Sequence, residues 1–368
     1  MRRFVTVLAA VALVLSLAAC TPAAGADADA TGAATAAERV PLADVTPLAD
    51  PKAYEGASTA RLPDSAIEPV MEAPAQSLPT TVVSHDRSGD VDVTVTDTSR
   101  VIAMDIAGSL AATVWGLGFG DTLVGRDISS TFPGVEELPV ITGSGHTINT
   151  EAVIALRPTL VITDGSIGPN DVVTQLRDVG IPVVFLEDTA SYDGAIEMAR
   201  AVAAVYGATE AGEALAQRTA DALDATRADI AALAPQAEGD RLRMVFLYLR
   251  GASGVYYLFG SESGADQLIE ALGGVDVAGE LGWGGMRPLT DEAMVSADPD
   301  LILVMTSGLD SVGGVDGLLQ AKPAIALTTA GQHKRIVDMA DGEILSFGPR
   351  SAEVLDALAR AIYAPDAS

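Results

Sequence analysis

Three side chains, one of them about a hundred residues from the other two, have the chemistry of a ligand set for iron. Tyr248 and Arg250 stand two apart at the end of the apolar run that begins at Leu242. His146 stands in Thr142-Gly143-Ser144-Gly145-His146-Thr147. In a strand, residues two apart share a face, so the guanidinium falls beside the phenol. A phenol ordinarily ionises near ~10, and a neighbouring guanidinium favours its phenolate. Such a phenolate and an imidazole are both ligands that ferric haem iron accepts. Each residue taken alone also suits a plain structural role, as a surface-loop histidine or as an edge-strand tyrosine with a solvated arginine. The other two histidines are poorer candidates: His85 follows the N-terminal segment, and His333, beside Lys334 and Arg335, reads as part of a solvated turn.

The elements that must position these residues follow from the apolar pattern. Strands are expected at Val91–Val95, Val101–Met104, Thr122–Val124, Pro139–Ile141, Leu160–Thr163 and Val183–Leu186, with helices near Ser109–Leu117, from Glu151, and near Asp171–Val179. This alternation predicts a mainly parallel, helix-covered sheet. From Tyr192 to about Ala234 the chain favours helix, interrupted at Gly207-Ala208-Thr209-Glu210, so one long helix is expected to start near Thr209. Further strands at Leu242–Leu249, Val255–Phe259, Leu301–Met305 and Ile336–Val337 alternate with helices near Ala265–Leu272, Glu292–Val295, Val315–Leu319 and Ser351–Ile362.

The two halves carry one pattern twice. Residues 148–163, INTEAVIALRPTLVIT, superimpose on residues 289–304, LTDEAMVSADPDLILV, with a shift of 141 that matches Glu151 to Glu292 and Pro158 to Pro299. Two copies so far apart predict two similar α/β lobes rather than a solenoid, and a cleft between lobes is a natural ligand site. Glycines in the His146 loop permit close backbone approach, and loops at the carboxyl ends of parallel strands are where open α/β sheets bind ligands. The same shift maps His146 onto Arg287, in Trp283-Gly284-Gly285-Met286-Arg287.

Arg2 and Arg3, an apolar run from Phe4 and Leu17-Ala18-Ala19-Cys20 read as a secretory signal, shorter than the ~20 residues of a membrane span. Cys20 is the sole cysteine, so no internal disulfide is possible. Residues 21–78, rich in Ala, Pro, Thr and Asp without an apolar period, are expected to be a disordered tether. The expected organisation is a signal over 1–19, lipidated cysteine and tether over 20–80, a first lobe over 81–208, a connecting helix over 209–234 and a second lobe over 235–368. A net charge of −28, with lysine only at 52, 322 and 334, argues against nucleic acid as a partner. An anionic ligand must then be held by a few local arginines. The sequence has no G-x-S-x-G elbow, Walker loop or H-E-x-x-H, and Gly116, Gly118 and Gly120 do not complete a dinucleotide fingerprint. An enzyme is not expected.

The signal ending at Cys20 resembles a bacterial lipobox, which implies lipidation of Cys20 and an anchor on the outer face of the plasma membrane. Two lobes, a long connecting helix and a glutamate heading the matching helix of each lobe resemble the helical-backbone class of ABC-transporter substrate-binding proteins, over roughly Val91 to Tyr363. The resemblance implies that Glu151 and Glu292 pair with arginines of a permease, which works with its ATPase, and that a helical strut permits only small lobe motions. The Gly-Ser-Gly-His loop with the Tyr-x-Arg strand end is similar to the haemin-binding lipoproteins of actinobacterial haem-uptake transporters. That likeness implies haem as the carried ligand, His146 and Tyr248 as its axial iron ligands, and Arg250 hydrogen-bonded to the tyrosine oxygen. Trp283 and Met286 are then expected to pack on the porphyrin. Arg287 and Arg126 are expected to meet propionates, with Ser129, Ser130 and Thr131 as further donors. Tyr256 and Tyr257 are assigned to the sheet, and the chain is expected to act as a monomer. The same fold with a ferric siderophore or cobalamin is the alternative, and an envelope enzyme or adhesion module on such a scaffold is not excluded by fold.

Overall fold

Val101–Met104 and Leu160–Thr163 are apolar at every position, which suits strands covered by helices on both faces. In the computed structural model, which describes residues 39–143, 145–169, 171–187 and 189–367, every residue of both runs is buried. The chain divides into a unit of Val40–Ser368 and a preceding unit of Met1–Arg39, so the signal and Cys20 lie outside the described residues. No helix among the described residues is long and apolar enough to cross a membrane.

In chain order the strands are β1 Ser58–Thr59, β2 Thr80–Asp86, β3 Gly89–Val95, β4 Val101–Met104, β5 Leu123–Gly125, β6 Leu160–Thr163, β7 Val183–Phe185, β8 Arg243–Arg250, β9 Val255–Phe259, β10 Val275–Asp276, β11 Met286–Pro288, β12 Leu301–Met305 and β13 Ile336–Met339. The first lobe is a parallel sheet in the order β5-β4-β6-β7, joined by the β2–β3 hairpin. Pro139–Ile141 forms no strand; Val140 makes one isolated bridge, to Arg126. The second lobe is a mixed sheet in the order β1-β13-β12-β8-β9-β11, with β10 against the start of β8. The parallel β13-β12-β8 core aligns the carboxyl ends of three strands on one edge.

The helix Thr209–Leu233 joins the lobes and, at ~1.5 Å per residue, spans about 37 Å. Ala211, Leu215 and Ala216 lie in the first lobe's core, whereas Leu223, Ile230 and Leu233 lie in the second lobe's. One rigid element therefore belongs to both cores.

The expected disordered tether is corrected by the structure from Val40 onward. Leu42, Val45 and Ala60 are buried in the second lobe's core, and β1 extends its sheet beside β13. Ile67 is buried in the first lobe's core, and Val70 and Met71 pack on it. This strap, residues 40–79, is held by its backbone: Leu48 N–H donates to Tyr363 O at 2.7 Å, Ala60 N–H to Asp338 O at 2.8 Å, Val70 N–H to Gly116 O at 2.7 Å and Ser77 N–H to Gly207 O at 2.9 Å. Arg335, assigned to a solvated turn by its neighbours, is instead buried. Its guanidinium donates to Ser58 Oγ at 2.9 Å and to the carbonyls of Ala361 and Ile362 at 3.1 and 2.6 Å, and lies over the Tyr54 ring. Burial pulls its pKa down to about 10, against the opposing pull of Tyr54 and Tyr363. The strap's apolar residues fill separate gaps in two finished cores, so they show no period in the sequence.

A chain beginning at Thr80 forfeits the burial of Leu42, Val45 and Ile67, worth about 2 kcal/mol for each side chain. It is expected to unfold at clearly lower urea than a chain beginning at Val40. Equal midpoints would show that the strap is ornament.

Candidate functional site

The carboxyl end of β8 carries Tyr248 and Arg250 on one face. Register places Tyr248 opposite Tyr257, and Phe246 opposite Phe259, which is in turn opposite Met286. Cross-strand partners share a face, so Tyr248, Tyr257, Phe259 and Met286 line one side of the sheet. The rings of Tyr248 and Phe259 stack with centroids 5.7 Å apart. The Arg250 guanidinium does not meet the phenol oxygen, as the resemblance implied; it lies over the Tyr248 ring, 4.6 Å from its centroid. Its Nη1 donates to Leu249 O at 2.9 Å and its Nη2 to Asp341 Oδ2 at 2.8 Å. A cation on the ring face is a favourable quadrupole contact, strongest where water is partly excluded.

On the first lobe, the ends of β4, β5 and β6 are followed by Asp105, Asp127 and Asp164, and these carboxylates organise the rim. Asp105 accepts the amides of Ala107, Ser109 and Leu110 at 2.9–3.2 Å, fastening the start of the helix Ser109–Gly116. Asp127 accepts the Asp105 amide at 3.2 Å and those of Ser129 and Ser130 at 2.8 Å. Asp164 accepts the Ser166 hydroxyl, whose oxygen accepts the Ile106 amide at 2.9 Å. Desolvation raises all three carboxyls, Asp105 most, with Asp127 and Asp164 adding repulsion. The rim so built presents two large aliphatic side chains, Ile106 at 54% exposure and Ile128 at 44%.

His146 stands next to this rim. Thr142 Oγ1 accepts the Ile128 amide at 2.9 Å, and the His146 loop closes through Gly143 N–H to Thr147 O at 2.7 Å. Gly145 and His146 both have left-handed backbone, at φ 74° and 60°. That conformation is ordinary for glycine and costs a non-glycine residue about 1 kcal/mol, a strain that clusters at functional sites. The His146 Nδ1 is buried with no hydrogen-bond partner among the described residues. That nitrogen is thus committed to no structural bond among the described residues.

The two sides meet at the loop after β13. Gly342, beside Asp341, approaches the Ser129 carbonyl so closely that a Cβ would stand 2.6 Å from it. Ser109 Oγ and Ser346 Oγ lie 3.3 Å apart in the same junction. An unbroken chain of contacts therefore runs from the His146 loop through Thr142, Ile128 and Ser129 to Gly342, Asp341, Arg250 and Tyr248.

Other expected site residues fall elsewhere. Arg287 alternates to the face opposite Tyr248, paired with Leu258, because adjacent strand residues point to opposite sides. Trp283 packs against the apolar cluster on that opposite side, to which Leu258 and Val277 belong, whereas Tyr248 packs on the other core. Met286, at 64% exposure, does share the Tyr248 face. Arg126 braces its own loop, donating from Nη1 to Ser130 O at 3.1 Å while its Nε is buried without a partner among the described residues. The Ser129 and Ser130 hydroxyls are spent on Ile106 O and Asp127. Sequence reasoning missed Ile106, Ile128 and Asp341, and assigned Tyr257 to the sheet alone; for Tyr257, alternation with Tyr248 across a hairpin was the available signal.

Glu151 and Glu292 head the short helices Thr150–Ala155 and Asp291–Ala297, both exposed. Asn149 Oδ1 and Thr290 Oγ1 cap these helices, each accepting the amide three residues on at 3.1 Å. Ile154 and Val295, also 141 apart, are exposed one turn beyond the glutamates.

Asp105 gives a pH signature. Its folded pKa is raised, so the folded state holds the proton more tightly and the stability it contributes is lost as pH rises through that folded value. Relative to Asp105→Asn, the parent is expected to gain urea resistance as pH falls from neutral toward the ordinary aspartate value of 3.8. A constant difference between the two proteins across that range would show Asp105 ionised throughout.

Comparison with known proteins agrees with this architecture. An ABC transporter substrate-binding lipoprotein of Bacillus subtilis (strain 168), YvrC, itself uncharacterised, is 26% identical over 288 residues, covering 77% of this chain and 86% of YvrC. Among solved structures, the heme-binding protein HmuT is 39% identical, with a TM-score of 0.80 over 86% of this chain and 99% of HmuT. The periplasmic heme-binding protein RhuT from Roseiflexus sp. RS-1 is 35% identical, with a TM-score of 0.66 over 74% of this chain and 99% of RhuT. The sequence profile of the periplasmic binding proteins matches residues 105–341, well over half of the chain, and the protein belongs to that family.

Proposed function

We propose that this protein is the haem receptor of an ABC transporter, taking ferric haem between its lobes and handing it to a permease. The observation that carries the reading is that the loop bearing His146, whose buried Nδ1 has no partner among the described residues, and the guanidinium-stacked Tyr248 stand on two rims that meet where Gly342 packs on Ser129. The relatives support it: HmuT and RhuT are heme-binding proteins. HmuT has also been solved with a histidine, a tyrosine and an arginine replaced singly by alanine, the last two standing two positions apart as Tyr248 and Arg250 do.

In this reading Tyr248 supplies a hard anionic oxygen to the iron from one side and His146 a neutral nitrogen from the other. Ile106 and Ile128 cover the porphyrin from the first lobe, and Tyr257 and Met286 from the second. Neither Arg126, whose guanidinium braces its own loop, nor Arg287, on the far face, is assigned to a propionate in this reading. Cys20 anchors the chain by lipid to the extracellular face of the plasma membrane. Glu151 and Glu292, with Ile154 and Val295, form the two halves of the permease-facing surface. The family and the solved neighbours are binding proteins, so capture and release rather than turnover is the assigned task.

Titration of the chain beginning at Val40 with haemin is expected to give a saturable Soret band at one haem per protein, altered in both His146→Ala and Tyr248→Ala. A change in Tyr248→Ala alone would remove His146 from the iron. No saturable binding in the parent would sink the haem reading and favour a ferric siderophore. Charge reversal at both Glu151→Lys and Glu292→Lys is expected to leave the haemin spectrum intact and to lower haem-dependent growth by at least ~10-fold. Growth unchanged by the double reversal would dismiss these glutamates as docking residues.

A further inference from the structure

Arg250 is more tightly fixed than its neighbourhood in the sequence suggests, and the group that fixes it comes from a different strand. Asp341 follows β13, two strands away from β8, and Arg250 spans β12 to reach it, passing Met305 Sδ at 3.8 Å. Asp341 is itself held: its Oδ1 accepts the Ser307 amide at 2.9 Å while Oδ2 accepts from Arg250 at 2.8 Å. The slot is closed by Gly308, where a Cβ would stand 2.7 Å from Leu249 O and 3.2 Å from Arg250 Nη1. A guanidinium with a carbonyl, a carboxylate and a ring face as simultaneous partners has almost no rotational freedom left.

We propose that Asp341 is a positioning residue for haem capture, fixing the Arg250 guanidinium over Tyr248 before the ligand arrives; this rests on the reading of Tyr248 as an iron ligand. The reason is entropic. A free arginine side chain carries rotamer entropy, and an arginine that must be ordered on binding subtracts that cost from affinity. An exposed ion pair contributes little to stability, but this pair is half-buried, at 32% and 28% exposure, and each partner has a second, backbone hydrogen bond. The pair also ties ligand chemistry to lobe geometry, since Gly342, next to Asp341, is the residue packed against Ser129 on the first-lobe rim.

The test uses Asp341→Asn, which keeps the shape and an acceptor for the Ser307 amide but replaces the charged acceptor of Arg250. Unfolding temperature and circular dichroism matching the parent's establish that the variant folds. In the ligand-free protein, the Arg250 Nε–Hε resonance, assigned by its loss in Arg250→Ala, is expected to report an ordered side chain in the parent and a mobile one in Asp341→Asn. Transfer of haem to excess apomyoglobin is expected to be about 10-fold faster from Asp341→Asn. It should be comparably fast from Arg250→Ala, and no faster from the double variant than from Arg250→Ala, because one interaction has been removed twice. Arg250→Lys, which has no fork to bridge Leu249 O and Asp341, is expected to behave as Asp341→Asn. An ordered Arg250 in Asp341→Asn, or transfer within about twofold of the parent, would overturn the role of Asp341 while leaving haem binding intact. Absence of saturable haemin binding in the parent would instead overturn the ligand reading, and this role with it.

Discussion

The division of one helix between two hydrophobic cores is the constraint on which the rest of the structure depends. Thr209–Leu233 buries Leu215 in the first lobe and Leu223 in the second, so neither lobe can turn far without pulling apolar side chains out of a close-packed interior. The strap adds a second crossing, from Leu42 and Ala60 in one core to Ile67 in the other. Two crossings make the junction between lobes a nearly fixed surface. Ligand-contacting groups can then be set in place once, by folding, rather than gathered by a closing hinge.

What is set in place is an unequal pair of rims. The first-lobe rim is shaped from beneath by Asp105, Asp127 and Asp164, whose oxygens are taken up by loop amides and hydroxyls. Burying carboxylates this close is costly, and the amides turned towards them offset much of that cost. The loops that result expose Ile106 and Ile128 where polar residues would be the ordinary choice. The second-lobe rim is aromatic, with Tyr248 and Tyr257 on one face of the sheet above the buried Phe259. Apolar walls with one imidazole and one phenol suit a large flat ring carrying a metal. They suit poorly a hydrophilic anion, which the acidic surface would repel.

The membership of the periplasmic binding protein family and the likeness to HmuT fit this division of labour. In the proposed receptor, affinity rests on iron ligation and apolar burial, while contact with the transporter rests on charge at Glu151 and Glu292. Keeping the two functions on different residues lets the same outer surface serve the loaded and the empty protein. The matching Ile154 and Val295 extend the twofold pattern from charge to shape.

Much of this was legible in the sequence because it is local or periodic. Apolar runs name the strands; Asn149 and Thr290 announce the capped helices; the shift of 141 residues reveals two lobes; and Tyr248 with Arg250 needs only the twofold period of a strand. What was not legible depends on long-range register and on gap-filling. The offset that matches their loop to the His146 loop predicts Trp283 on the porphyrin and Arg287 at a propionate, but antiparallel pairing with β9 and packing on the opposite apolar layer turn them away from Tyr248. The strap lacked a period because it has no face of its own; it takes its shape from the two cores it crosses. Arg335 reads as a surface cation beside Lys334 and is buried because three carbonyl and hydroxyl oxygens converge on it from distant segments. Asp341 acquires its place against Arg250 only when β13, β12 and β8 align their ends. The sequence by itself thus determined the elements and the chemical groups, since propensity and periodicity act over a few residues. Tertiary structure decided which groups face one another, since that depends on strand order and on how side chains from remote segments share one interior.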